Sequence, residues 1–325
     1  LSARGAETLP SGGGSLEFLD IGGQIAALSP LQLFWRRFRQ DRVALVSLGF
    51  IGFLILLAIF APLVVNLLGL PSPYTPNPNL TDSFGSPLGP SGAHPFGVDQ
   101  LGQDVMSRVI YGTRVSLEVG ILGTAIATVI GVVVGVLAGF YRGWVDTILS
   151  RLIDVVLSIP ILLLGLGIGA ACAVRGCVNG TIQPGLGVII FLITLVNWTY
   201  IARIVRGLVL SLREREFVDA SRALGASNAR IMFREILPNL VAPVIVYATL
   251  LVPINVLIEA SLSFLGVGVR PPTASWGQMI ASATPIFNTA WWYMTFPGIA
   301  LLLTVLAFNL LGDGLRDALN PRTAR

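Results

Sequence analysis

LREREFVDASRALGASNARIMFREILPN, residues 212–239, lies between two long apolar runs. It holds five arginines and four acids in a chain whose charged residues total only 12%. Phe217, Ala220, Ser221 and Leu224 recur at i, i+3, i+4 and i+7, the spacing of one helical face. Arg213, Arg215, Asp219 and Arg222 decorate the rest. Gly225 follows, where a helix end takes a residue that tolerates positive φ. Ser227 is placed to cap a second helix over 228–236. Pro238 disfavours helical geometry at Leu237, which predicts a break before the next apolar run. The reading is helix, glycine turn, helix, at a membrane surface. An apolar anchor with a charged rim suits docking to a soluble protein. A helix lying among lipid headgroups gives a similar pattern, and a solvated connection is the bland alternative.

The rest of the chain sets the membrane context. Of 325 residues, 54% are apolar and the mean hydropathy is +0.79. A soluble domain carries about 25% charged residues. Six nearly charge-free runs are each long enough to cross a ~30 Å hydrocarbon core. They cover about 43–68, 117–141, 153–174, 186–208, 238–260 and 291–312. Helices satisfy their own backbone in lipid, and these runs lack the alternation of a barrel. The expected class is an all-α membrane protein with six transmembrane helices.

Arginine placement predicts the orientation. With the N-terminal end cytoplasmic, 17 arginines fall inside and four, Arg108, Arg114, Arg175 and Arg270, fall outside. Both termini and the hairpin are then cytoplasmic. Residues 1–34 read as a cytoplasmic extension without the apolar h-region of a signal peptide, and 323–325 as a short tail. Residues 69–114 form a long outer loop, proline-rich at first. A short outer helix, opened by Asp99 or Gly102, is expected to lead into the second span.

The residue inventory narrows the chemistry. All 21 cationic residues are Arg. A P-loop needs a Lys to reach the phosphates, so if the protein works by ATP hydrolysis of that kind, another chain must supply it. No Ser-His, H-E-x-x-H or paired acids lie in the spans, which leaves a membrane-embedded enzyme without a catalytic group. His94, Asp99 and Asp104 match no ligand spacing and read as loop residues, so no metal site is expected. Cys172 and Cys177 form a C-x-x-x-x-C pair at the outer end of the third span; a disulfide and two buried thiols are both open. Gly131, Gly135 and Gly139, like Gly165 and Gly169, have the spacing of close helix packing. Pro160 and Pro253 are expected to kink their helices. Glu259 stands near the outer end of the fifth span. An acid there is a functional candidate, but a structural role, facing water or a neighbouring helix, is favoured.

A resemblance sharpens these readings. Asp219-Ala220-Ser221, three residues, Gly225, then Leu237-Pro238 resembles the E-A-A-x-x-x-G…L-P signature of bacterial ABC importer permeases, with Asp-Ala-Ser in place of the common Glu-Ala-Ala. Residues 94–117, 211–227, 259–277 and 309–322 resemble, in order, the second permease subunit of the dipeptide/oligopeptide and nickel branch. The likeness covers about residues 30–322. It implies a type I ABC importer permease bundle over 35–322, with a cytoplasmic coupling helix in the hairpin 212–238. It implies a heterodimer with a homologous permease, two cytoplasmic ABC ATPase subunits or domains that carry ATP and Mg, and an extracytoplasmic substrate-binding protein. This chain itself then binds no cofactor and no nucleic acid, contacts membrane lipid, and sits as a multi-pass protein in the bacterial inner membrane. Di- and oligopeptides are the expected cargo, with nickel or oligosaccharides as alternatives and a passive channel as a rival of another class. By position, Arg215, Glu216, Phe217, Asp219, Ala220, Ser221, Leu224, Gly225 and Ala226 would meet the ATPase. Phe217 and Leu224 would be the anchor, and Asp219 would cap or pair with an ATPase arginine. Glu259, Ser263, Phe264 and Trp276, with the loop 266–277, would form an outer gate or a binding-protein contact.

Overall fold

The computed structural model describes residues 30–82, 86–172, 174–178 and 180–319. Expectations for 1–29 and 320–325 lie outside the described residues. Among those described, the elements are helices and turns, with no strand beyond isolated bridges.

The chain enters through α1 (Pro30–Phe38) and α2 (Arg42–Ile59). Asp41 caps α2, its Oδ1 accepting from the amides of Val43 and Ala44 at 2.9 and 3.0 Å. The first apolar run then breaks at Phe60, and α3 (Ala61–Leu67) restarts with a proline in its first turn. Next comes α4 (Val105–Tyr141), one uninterrupted helix of 37 residues. At ~1.5 Å per residue it is about 55 Å long, so it outreaches the hydrocarbon core. A separate outer helix opened by Asp99 or Gly102 does not form. Asp99 closes a turn instead, its Oδ1 accepting from the amides of Leu101 and Gln103 at 2.9 Å each. Asp104 is the cap, accepting from the Ser107 amide at 2.7 Å.

The third run is divided into α5 (Gly143–Ser158) and α6 (Ile161–Ala171), which meet at 80°. The bend is sharper than a kink because Ile159, ahead of Pro160, takes an extended conformation (φ −94°, ψ 121°). Then follow α7 (Leu186–Leu212) and α8 (Glu216–Ala223). A single helical turn, α9 (Asn228–Arg230), leads through a π-helical turn, Ile231–Ile236, into α10 (Leu237–Phe264). The chain ends in α11 (Trp276–Ala283) and α12 (Trp291–Leu319). Among the described residues five helices are long and apolar enough to cross a membrane: α2, α4, α7, α9 with α10, and α12. The bent pair α5 and α6, counted as one crossing, makes six. α10 stays helical across Pro243 and Pro253.

The centre of the bundle is α4 against α7, joined along a glycine stripe. A Cβ on Gly131 would lie 2.6 Å from the Trp198 carbonyl oxygen, one on Gly135 2.7 Å from that of Ala202, and one on Gly139 2.9 Å from that of Arg206. Those distances leave room for hydrogen only. Gly135→Val must therefore push the two helices apart, at an expected ~1–3 kcal/mol. The thermal midpoint in detergent reads the effect, and an unchanged midpoint would contradict this packing. A polar ladder pins α10 to the same pair. Asn197 Nδ2 donates to Asn255 Oδ1, and Asn255 Nδ2 donates to Thr124 Oγ1 at 2.7 Å. All three residues are buried, where hydrogen bonds hold helices that gain little from hydrophobicity in lipid.

Candidate functional site

The hairpin begins at Arg215, the N-cap residue of α8. Glu216 and Asp219 lie in the first turn of α8 and Arg222 in its last, each sign matching the helix dipole. Gly225 has φ +79° and ends the helix. Its amide donates to the Arg222 carbonyl at 2.9 Å, and the Ala226 amide donates to that of Ser221 at 3.0 Å. These paired bonds are those of a glycine-terminated helix. Ser227 Oγ then accepts from the Arg230 amide at 3.4 Å, capping the next turn.

The expected break before Pro238 is absent. The π turn carries the chain straight into α10, so 228–264 is one helical run. Leu237 donates its amide five residues back, to the Met232 carbonyl. A proline ring normally strikes the carbonyl four residues back. The wider π turn removes that clash and accommodates the missing donor.

Which side of α8 faces the protein was not legible from its spacing. Val218 is fully buried, packed with Val209, Ile231, Met232 and Ile236. Ala226 is half-buried on the same cluster. Phe217 is exposed (38%), Leu224 is 88% exposed, and Arg215, Glu216, Ala220 and Gly225 face outward with them; Ser221 is half-buried. Asp219 lies 3.3 Å from Arg222 of its own helix, and both are exposed.

The root of the hairpin is clasped to its neighbours. Arg213 Nη1 donates to the Phe140 carbonyl, and Arg142 pairs with Glu214. The Arg142 guanidinium holds the Glu214 carboxyl below its ordinary range. Two more arginines of α7 reach α5: Arg206 Nη2 donates to Asp146 and Arg203 Nη2 to Asp154, each at 2.8 Å. No sequence spacing pointed to these clasps, because their partners lie tens of residues apart.

The opposite end of α4 carries a cap made from the loop after α3 and the segment after α10. Three of the four residues expected at an outer gate are interior. Glu259 is fully buried; its Oε2 accepts from Ser116 Oγ at 3.0 Å and its Oε1 from Ser263 Oγ at 2.8 Å. The Ser275 hydroxyl also bonds to it. Ser263 Oγ accepts in turn from the Val269 amide at 3.0 Å. Trp276, with no exposed surface, donates its indole N–H to the Val109 carbonyl at 3.1 Å. Of the four, only Phe264 is exposed, at 49%. The small residues Gly268 and Gly277 let this loop fold tightly over Ser263 and Ala260, which is how Glu259 is covered.

Within the cap, His94 Nδ1 lies 2.9 Å from Asp104 Oδ2, while Asp99 faces Arg108 at 3.5 Å. Burial pushes the Asp99 carboxyl above the ordinary aspartate range, against the opposing pull of Arg108. The three groups do not converge, and among the described residues no three His, Cys, Asp or Glu gather as metal ligands. Cys172 and Cys177 are joined in a disulfide at the end of α6.

Comparison with known proteins adds the lineage. Residues 131–325 match the family of binding-protein-dependent transport system inner membrane components. Residues 29–88 match the N-terminal TM domain of oligopeptide transport permease C. The dipeptide transport system permease protein DppC of Escherichia coli is 43% identical over 299 residues, 91% of this chain and 94% of that protein. DppC of Alkalihalophilus pseudofirmus is 39% identical over 299 residues, 92% of each. The glutathione transport system permease protein GsiD of Salmonella typhimurium is 43% identical over 294 residues, 90% of this chain and 91% of that protein. The fold is similar to a chain of the MetNI methionine ABC transporter solved in inward-facing conformations, with TM-score 0.55 and 23% identity over 66% of this chain and 98% of that one. A helical bundle of five or six crossings, two matching family regions and near-full-length relatives agree with one another. The chain belongs to the family of binding-protein-dependent transport system inner membrane components and is a permease subunit of an ABC importer.

Proposed function

We propose that this permease forms half of the translocation pathway for di- and oligopeptides, and that the hairpin 212–238 couples it to a cytoplasmic ATPase. The observation that carries the coupling role is the division of α8. Val218 locks one side into the bundle, while Phe217 and Leu224 stand exposed on the other. An apolar anchor on a braced helix is suited to a cleft in a partner. The helical run from Asn228 to Phe264 gives such a partner a mechanical lever. Closing of two ATPases on ATP and Mg would move α8, and α10 would carry the motion to the far end of the bundle. The arginine asymmetry supports a cytoplasmic hairpin and cytoplasmic termini. The homologous second permease completes the pathway, and a substrate-binding protein delivers cargo to the outer face, where Phe264 and the loop 266–277 are the candidate contacts.

Peptide cargo rests on the dipeptide and glutathione relatives. The full assembly in vesicles is expected to take up a labelled dipeptide in an ATP- and binding-protein-dependent manner. Uptake of nickel or an oligosaccharide without peptide uptake would overturn the cargo. Orientation has its own check: a cysteine introduced at Ala223 is expected to react with an impermeant maleimide from the cytoplasmic side only.

A further inference from the structure

The first helix, α1, carries a cationic face that the coupling mechanism does not use. Its two sides are cleanly divided. Phe34, Arg37 and Phe38 are half-buried or buried. Phe38, 2% exposed, packs in a cluster with Ala44 of α2 and Ala318 near the end of α12, and Phe34 and Leu315 pack against the same cluster. Gln32, Trp35, Arg36 and Arg39 are exposed, at i, i+3, i+4 and i+7. One side of α1 therefore holds it to the bundle and the other is open.

The open side combines charge, an aromatic ring and a defined depth. Arg36, Arg39 and Arg42 are exposed, and among the described residues none of the three forms an ion pair. The one acid between residues 30 and 42 is Asp41, whose Oδ1 is engaged in capping α2. Trp35 is 45% exposed, and the Arg39 guanidinium lies over its ring, 5.1 Å from the centroid. The depth comes from α2, a membrane-spanning helix that starts at Arg42. It is apolar and outward-facing from its second residue, with Val43 54% and Val46 73% exposed. Lipid chains cover such a surface, so the hydrocarbon edge lies close to Arg42. The end of α1 then stands at the level of the headgroups.

Those features select the occupant. A guanidinium gives a phosphate two parallel hydrogen bonds. A tryptophan ring prefers the boundary between headgroups and chains. Three unpaired positive charges beside a span favour a lipid of net negative charge. We infer that the open side of α1, continued by Arg42, binds anionic phospholipid. Arg36, Arg39 and Arg42 hold phosphate oxygens, and Trp35 lies at the top of the chains. Because Phe38 ties α1 to the end of α12, the bound lipid steadies that end of α12 as well. With the N-terminal end cytoplasmic, as proposed above, the lipid belongs to the inner leaflet; the binding itself does not depend on that orientation.

The test uses the assembled permeases and ATPases in nanodiscs of phosphatidylcholine with a varied share of phosphatidylglycerol in both leaflets, so sidedness does not enter. A photoreactive phosphatidylglycerol is expected to label residues 32–43, found by mass spectrometry of the digested chain. Phosphatidylglycerol is also expected to raise the thermal midpoint. Arg36→Gln with Arg39→Gln and Arg42→Gln is expected to keep the midpoint in pure phosphatidylcholine and to lose most of that rise. The share of phosphatidylglycerol needed for half-maximal labelling should increase about fivefold for each arginine removed. Arg36→Gln alone, a surface change, serves if the triple variant does not fold. Arg175→Gln, at the other end of the bundle, is expected to change neither reading. No labelling within 32–43, or equal labelling in the triple variant, overturns the site. An equal loss in Arg175→Gln reduces it to general charge attraction and overturns it too. A rise produced by inorganic phosphate in pure phosphatidylcholine assigns the arginines to a free anion and overturns the lipid. Loss of the ATPases from the triple variant with labelling intact makes the face a protein contact instead.

Discussion

Leu224→Asp is expected to strip the ATPases from the permease while leaving the permease folded. Leu224 is 88% exposed and contributes almost nothing to its own protomer. Burying such a side chain in a partner cleft contributes about 1.5–3 kcal/mol. Asp loses that contribution and adds a charge that the cleft must desolvate. Together these weaken assembly by roughly a hundredfold or more, since about 1.4 kcal/mol is tenfold. The helix end survives, because its bonds come from the backbone of Gly225 and Ala226. Co-purification of ATPase with a tagged permease reads the loss directly, and ATP-driven uptake falls with it. A full complement of ATPase and wild-type uptake in Leu224→Asp would remove the coupling role. Gly225→Pro attacks the same contact by another route. Proline cannot adopt φ +79° and has no amide to give Arg222, so the turn itself is lost and the hairpin is displaced.

The second large effect is expected at the other end of α4. Glu259→Ala leaves the hydroxyls of Ser116, Ser263 and Ser275 without their shared acceptor and opens a void around them. Removing one partner from a buried polar cluster strands the others, and the void adds a cavity cost; about 3–5 kcal/mol is the expected sum. Glu259→Gln keeps the shape but turns one acceptor into a donor facing donors, and is expected to cost about 1–3 kcal/mol. Thermal midpoints of the two variants in detergent should fall in that order. A wild-type midpoint in Glu259→Ala would mean that the cluster does not hold the cap.

The difference between what could and could not be read in the chain follows from range. The helical face of Phe217 and Leu224, the glycine at 225 and the Ser227 cap each need only a few consecutive residues, and each is present in the folded hairpin. The start of α4 at Val105 was hidden because Asp99 and Gly102 read as helix openers, whereas the cap is Asp104. The choice fell to Asp104 once Asp99 closed its own turn. Pro238 misled for a related reason. A proline signals the end of an ordinary helix, and nothing in the local spelling announces a π turn that accommodates it.

Hydropathy, periodicity and arginine count were enough for a bundle of apolar helices bearing one charged surface hairpin. These are properties of neighbouring residues, and the bilayer imposes the same demand on any stretch of that length. Tertiary structure alone decided that Val218 is buried while Leu224 stays exposed, that Glu259 belongs to the interior, and that a polar cavity forms over α4. Each depends on groups brought together across the chain, as Ser116 is to Glu259 over 143 positions. Which groups meet is set by how closely glycine-lined helices can approach.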